Sequence, residues 1–154
     1  MATLTITDKK ARELYPTASS DLKTILVETF GEQFFSGKIT DRIKTWTDVH
    51  AELNGEVGEL TGTKDEIAYK KLKAIAKVLN EGWVPDWDNS NQYKWYPWFY
   101  MTKTSSSPSG FGLGVVCDDY SCSYVGSRLC YRTRKLAEHA AKHFIDLYRD
   151  LMVQ

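Results

Sequence analysis

Arg128, Arg132, Arg134 and Lys135 crowd together in a segment where, from Arg128 to Lys142, Glu138 is the only acid. Thr133 has the chemistry of a helix N-cap, so these cations fall at a strand end and on the first turn of a helix. The helix dipole favours anions there, and cations in that position imply an anionic neighbour. That neighbour is either internal, such as Asp118, Asp119 or Glu138, or an external phosphate-bearing ligand. The run WVPDWDNSNQYKWYPWFY, from Trp83 to Tyr100, carries four of the five tryptophans. Such rings stack on nucleobases at about 1–3 kcal/mol each, and arginine takes phosphate in a bidentate fork. Together the two segments point to recognition of something planar and anionic, a nucleotide or an unpaired nucleic-acid strand. The expected ligand contacts are Trp87, Tyr93, Trp95, Trp98, Tyr100, Arg128, Arg132 and Arg134.

Other chemistry is thinner. Cys117 and Cys122 precede His139 and His143, which stand at i and i+4 and share a helical face. They are weak candidates for a zinc site, because the spacing departs from that of a zinc finger and a chain this apolar does not need metal to fold. The expectation is no metal and no cofactor. There is no GxSxG, HExxH or Walker A pattern. Asp86 and Asp88 bracket Trp87 as a possible acid–base pair, although a loop of Asp, Asn and Ser is usually only turn chemistry. Gly110-Phe-Gly-Leu-Gly114 is a poor phosphate loop, since Val115-Val116-Cys117 continue a strand behind it. Alternation instead puts the three glycines on one strand face, a bare strip expected to be covered by a Trp or Tyr of the same chain.

These residues need elements to hold them. Asp8 opens a helix that Pro16 stops, and Ser19 or Ser20 opens another that ends at Gly31. Phe34 and Phe35 read as a connector closed by Gly37. Thr45 to Asp48 and Thr63 to Glu66 are capping boxes, separated by a polar, glycine-rich linker from Asn54 to Thr63. Behind the second box, Ile67, Leu72, Ile75, Ala76 and Leu79 form one helical stripe. Trp95 to Met101 alternates as a strand that Pro97 demotes to an edge or a bulge. Phe111 to Cys117 is a second strand, Asp118-Asp119 a turn, and Cys122 to Tyr131 a third strand. Thr133 then caps a long final helix. The expected fold is α+β: short N-terminal helices, a three-stranded antiparallel meander, and a long C-terminal helix packed on it. Residues 1–154 read as a single domain with a helical part over 1–80 and a sheet-plus-helix part over 81–154.

The totals agree with a globular chain: 154 residues, 42% hydrophobic and 26% charged, with 20 basic and 20 acidic side chains. No global field marks a nucleic-acid or membrane protein. No signal peptide is legible in MATLTITDKKARELY, and no apolar run approaches a membrane span, so a cytoplasmic, membrane-free protein with reduced cysteines is expected.

EGWVPDWDNSNQYKWYPWFYM (Glu81 to Met101) and VGSRLCYRTRKLAEHAAKHFIDLYRDLM (Val125 to Met152) resemble segments of a group of small proteins from gut Bacteroidetes and their tailed phages. Ala11 to Phe35 and Ile39 to Val49 look like the entry module of the same group. The resemblance implies a phage-linked protein of the host cytosol and carries no catalytic residue. The leading expectation is a non-enzymatic binding protein that holds a nucleotide-like or other anionic ligand, sequestering a host signal or a single strand. The alternative makes the same Trp/Tyr/Arg face a protein–protein interface, in an inhibitor or assembly factor that meets a host protein or a second copy. A small metal-dependent hydrolase using Asp86, Asp88, His139 or His143 stands third.

Overall fold

A computed structural model describes residues 6–53, 55–103, 110–119 and 129–153. Its contacts divide the chain into two compact units, Met1–Val57 and Gly58–Gln154, with the division inside the polar stretch between the two capping boxes.

The first unit is helical: α1 (Asp8–Leu14), a 3-10 turn (Tyr15–Thr17), α2 (Ser20–Phe30), α3 (Glu32–Ser36), α4 (Ile39–Arg42) and α5 (Trp46–Glu52). Local chemistry sets its boundaries. Thr7 and Ser19 accept N–H bonds as caps, and the Thr45–Asp48 box closes both ways. Gly31 ends α2 at φ +85°, a conformation that suits glycine. The expected connector around Phe34 and Phe35 is instead the short helix α3. Stacking of Phe35 on Tyr15 at 4.1 Å and of Phe34 on Phe30 at 4.8 Å gives that turn the packing its sequence does not advertise. Ala11, Leu26, Ile39, Ile43 and Val49 are buried.

The second unit starts with α6 (Lys64–Leu79), where the Glu66 carboxylate accepts from the Thr63 N–H at 2.8 Å. A hairpin of β1 (Lys94–Tyr100) and β2 (Gly112–Asp119) follows, then α7 (Arg134–His143) and α8 (Ile145–Met152). Helix α7 packs on both strands, and α8 packs on α6. Between them Leu72, Ile75, Leu79, Phe99, Val116, Leu136, Ala140, Phe144 and Tyr148 are buried.

The expected α+β architecture needs correcting in three places. Among the described residues the sheet has two strands, not three. Most of the segment expected as the third strand lies outside the described residues, and its end, Tyr131, makes only a bridge to Trp95. Asp118 and Asp119, expected as a turn, continue β2 opposite Trp95 and Lys94. The long final helix is broken at Phe144, whose φ −120° and ψ 27° leave the helical region. The break lets α7 face the hairpin while α8 faces α6, and no proline or glycine marks it.

Pro97 sits opposite Val116. Trp95 directs both its N–H and its C=O to Tyr131, away from β2. Pro97, two residues on, points the same way, so its missing N–H removes no rung from the β1–β2 ladder.

Tyr131 and Tyr148 are fully buried and their hydroxyls meet at 3.0 Å. Burial pushes both phenols above their ordinary value of 10, and for Tyr131 the neighbouring Tyr148 adds to the shift. The unfolded chain ionises these phenols near pH 10 while the folded chain keeps them protonated. Their contribution is therefore complete below about pH 10 and lost above it, at up to about 1.4 kcal/mol per pH unit for each. Denaturant midpoints measured against pH are expected to fall in the alkaline range, with a shallower slope in Tyr148→Phe.

Candidate functional site

The ring-rich segment divides into two sets. At the start of β1, Tyr93 stacks on Trp95 with ring centroids 5.8 Å apart. Trp87 lies over the ammonium of Lys94 at 5.5 Å. Lys94 is 1% exposed and donates to the Asn89 carbonyl at 3.0 Å. Burying an ammonium is costly without donors satisfied and a polarisable cover, so Trp87 has an internal task. Asp86 and Asp88 belong to the same loop. The Asp88 N–H donates to the Asp86 carboxylate at 3.0 Å, and the Asp86 N–H donates to the Gln92 amide oxygen at 2.6 Å. This is turn chemistry.

The second set lies on the outer face of the hairpin. Trp98 is 58% exposed and stands directly opposite Val115, itself 47% exposed. Tyr100 follows on the same face, and half-buried Tyr96 faces Cys117. The ladder slips between Trp98 and Phe99, whose partners are Val115 and Leu113, leaving Gly114 as an extra residue in β2. Strict alternation from Phe111 would put Leu113 and Val115 on its face, but the bulge moves Val115 to the outer one. A Cβ on Gly114 would come within 3.2–3.3 Å of the Tyr100 ring and the Trp98 carbonyl oxygen. The bare backbone is thus covered by a tyrosine of the same chain. The central outer-face positions Tyr96, Trp98, Tyr100, Gly112, Gly114, Val115 and Cys117 carry no formal charge at neutral pH; the next pair in the ladder is Lys94 and Asp119.

Two of the clustered cations, Arg132 and Arg134, pair with acids of their own chain. Asn80, 5% exposed, donates to the Cys130 carbonyl at 2.9 Å and accepts from the Arg132 N–H at 3.0 Å, so the end of α6 holds the chain that enters α7. The Arg132 guanidinium pairs with Glu81 at 2.5 Å. Glu81 itself adopts φ +47°, unusual for a residue other than glycine. Arg134 pairs with Glu138 at 3.0 Å one helical turn on. Arg128 and Cys122 lie outside the described residues. The rings of His139 and His143 lie 4.3 Å apart, tilted by 36°, but among the described residues no three His, Cys, Asp or Glu side chains are placed to hold a metal. Cys130 is buried, which pushes its thiol up and makes it unreactive.

No family profile, curated protein or solved structure matches this chain. Among the described residues no helix is long and apolar enough to cross a membrane.

A second constellation, in the first unit, has no sequence signature. Arg12 on α1 and Arg42 on α4 both reach the carboxylate of Glu52 on α5, Arg42 at 3.3 Å. The Arg12 guanidinium lies 4.0 Å over the Phe34 ring and donates to the Phe34 carbonyl at 3.5 Å. These residues are up to 40 positions apart, and no local motif joins them.

Proposed function

We propose that the chain is a non-enzymatic protein–protein interaction module, and that the outer face of its hairpin is the contact surface. The observation that carries this reading is the uncharged patch centred on Trp98 and Val115, with Tyr100 held over Gly114. Exposed Trp and Tyr on a rigid strand are efficient anchors because little side-chain freedom is lost on docking. An uncharged central stretch suits an apolar patch on the other protein better than a phosphate. Arg132 and Arg134 are held by Glu81 and Glu138, which weakens the case for a nucleotide. Within this reading the protein acts in the host cytosol as a phage-linked inhibitor or assembly factor.

The anionic-ligand reading keeps one support. The Trp95–Tyr131 bridge puts Arg132 next in sequence to a residue paired with the ring-bearing strand.

One comparison separates the two. Wild type, Trp98→Ser and Arg132→Ala are compared by light scattering, by capture of host proteins, and by thermal shift with nucleotides. Association with a second copy or a host protein is expected to weaken at least tenfold in Trp98→Ser, equivalent to about 1.4 kcal/mol or more, and to persist in Arg132→Ala. Association unaffected by Trp98→Ser, or a nucleotide that raises the melting temperature only while Arg132 is present, would overturn the interface reading.

A further inference from the structure

On the outer face of the hairpin, exposure falls from Trp98 at 58% to Val115 at 47% and Tyr100 at 39%, and Tyr96 is half-buried. Gly114 accounts for the low standing of Tyr100. A Cβ on Gly114 would come to 3.2 Å from Cε2 and 3.3 Å from Cζ of the Tyr100 ring, so the distal half of that ring lies against bare backbone. Diagonal neighbours across a ladder are within reach of an aromatic ring. Gly110 has a positive φ and Gly114 does not, so the backbone at Gly114 does not itself call for glycine. What Tyr100 uses is the missing side chain.

Tyr100 is thus laid down on β2, while Trp98 keeps the most exposed ring of the face. As the extra residue of the bulge, Gly114 also bends β2 and adds local twist, so the face curves and offers no level bed for a second sheet. One projecting ring on a curved, centrally uncharged face calls for an apolar hollow opposite it. An indole keeps its N–H bonded when buried, so that hollow also holds an acceptor.

We infer that Gly114 is the positioning residue of the contact face, and that the partner protein carries a narrow apolar cleft, with a hydrogen-bond acceptor inside it, that takes the single indole of Trp98. Tyr100, held on Gly114, forms the rim that excludes water around the inserted ring. A ring fixed before docking loses little freedom on binding. The cleft presupposes the hairpin face as the contact surface, whereas the standing of Trp98 above Tyr100 does not.

β-Cyclodextrin, whose apolar bore admits one aromatic side chain, serves as the probe in NMR titrations of the full chain. The Trp98 indole N–H signal is expected to shift and saturate while the Tyr100 ring signals stay in place. Gly114→Val suits a strand but collides with the Tyr100 ring, and it is expected to bring the Tyr100 signals into the titration. In the association that Trp98→Ser weakens, Gly114→Val is expected to cost about tenfold and to add nothing in a Tyr100→Ala background. Tyr100 signals that titrate with the probe as strongly as Trp98 in wild type would overturn the inference even if Gly114→Val does not fold. Tight association of folded Gly114→Val, or effects of Gly114→Val and Tyr100→Ala that simply add, would overturn the role of Gly114 and leave the contact surface standing. Association unchanged by Trp98→Ser removes the contact surface and the cleft with it, whatever the probe shows.

Discussion

Replacing Asn80 by alanine is expected to lower the stability of the Gly58–Gln154 unit by about 2–4 kcal/mol, the sum of two backbone groups left without their partner. The side chain is 5% exposed and ties the Cys130 carbonyl and the Arg132 N–H to the end of α6. Both groups belong to the segment that forms the Tyr131 bridge and leads to the Thr133 cap, so the loss is structural as well as enthalpic. Asn80→Asp is informative beside it. The carboxylate still accepts from Arg132 but turns an acceptor toward the Cys130 carbonyl, and the variant is expected to recover less than half of the loss. Urea denaturation of the three proteins, with hydrogen exchange to locate the weakened segment, measures both effects. An Asn80→Ala protein within about 0.5 kcal/mol of wild type, the range of an ordinary surface substitution, would show that the two groups find other partners.

Glu52→Ala is the second large effect expected. It leaves two partly buried guanidiniums facing each other across an emptied space. Breaking a fully buried ion pair costs about 3–5 kcal/mol, and the residual exposure here reduces the expectation to about 2–3 kcal/mol. The loss should largely disappear when the whole group is removed. Arg12→Met, Glu52→Leu and Arg42→Met combined discards three charges and their desolvation, and it is expected to lie within about 1 kcal/mol of wild type. Denaturation of the single and triple variants in low salt tests the pair of expectations. A single variant as stable as wild type would mean that the triad holds nothing together.

Features written in a few consecutive residues were legible in the sequence. The boxes at Thr45–Asp48 and Thr63–Glu66, the Thr133 cap, the α6 stripe and the two main strands follow from local hydrogen bonding and periodicity, and they stand where expected. What failed depended on distant packing. One bulge at Gly114 moved Val115 to the other face, and strict alternation carries no sign of such a slip. The break at Phe144 depends on what α7 and α8 each pack against, information held in β1, β2 and α6. The rings stand out in the sequence as a group, but their division was not readable. Trp87 covers an ammonium that composition would have placed in water, while Trp98 is left outside. Arg12, Phe34, Arg42 and Glu52 lay in plain view without a spacing rule to join them.

The break between α7 and α8 also bears on the order in which this unit assembles. α6 stands near its beginning, yet its main helical neighbour, α8, comes from the far end, fastened at one point by Lys64 and Asp150 at 2.7 Å. Until that return is made, Leu72, Ile75 and Leu79 have no lasting cover from α8. The closure of so long a loop carries an entropic cost before any contact repays it, and topologies of this kind fold slowly. In the first unit the return from Arg12 to Glu52 spans 40 positions, a shorter closure. During synthesis the apolar stripe of α6 therefore waits exposed for its last helix, and the interval before α8 arrives is when this chain is most open to misassociation.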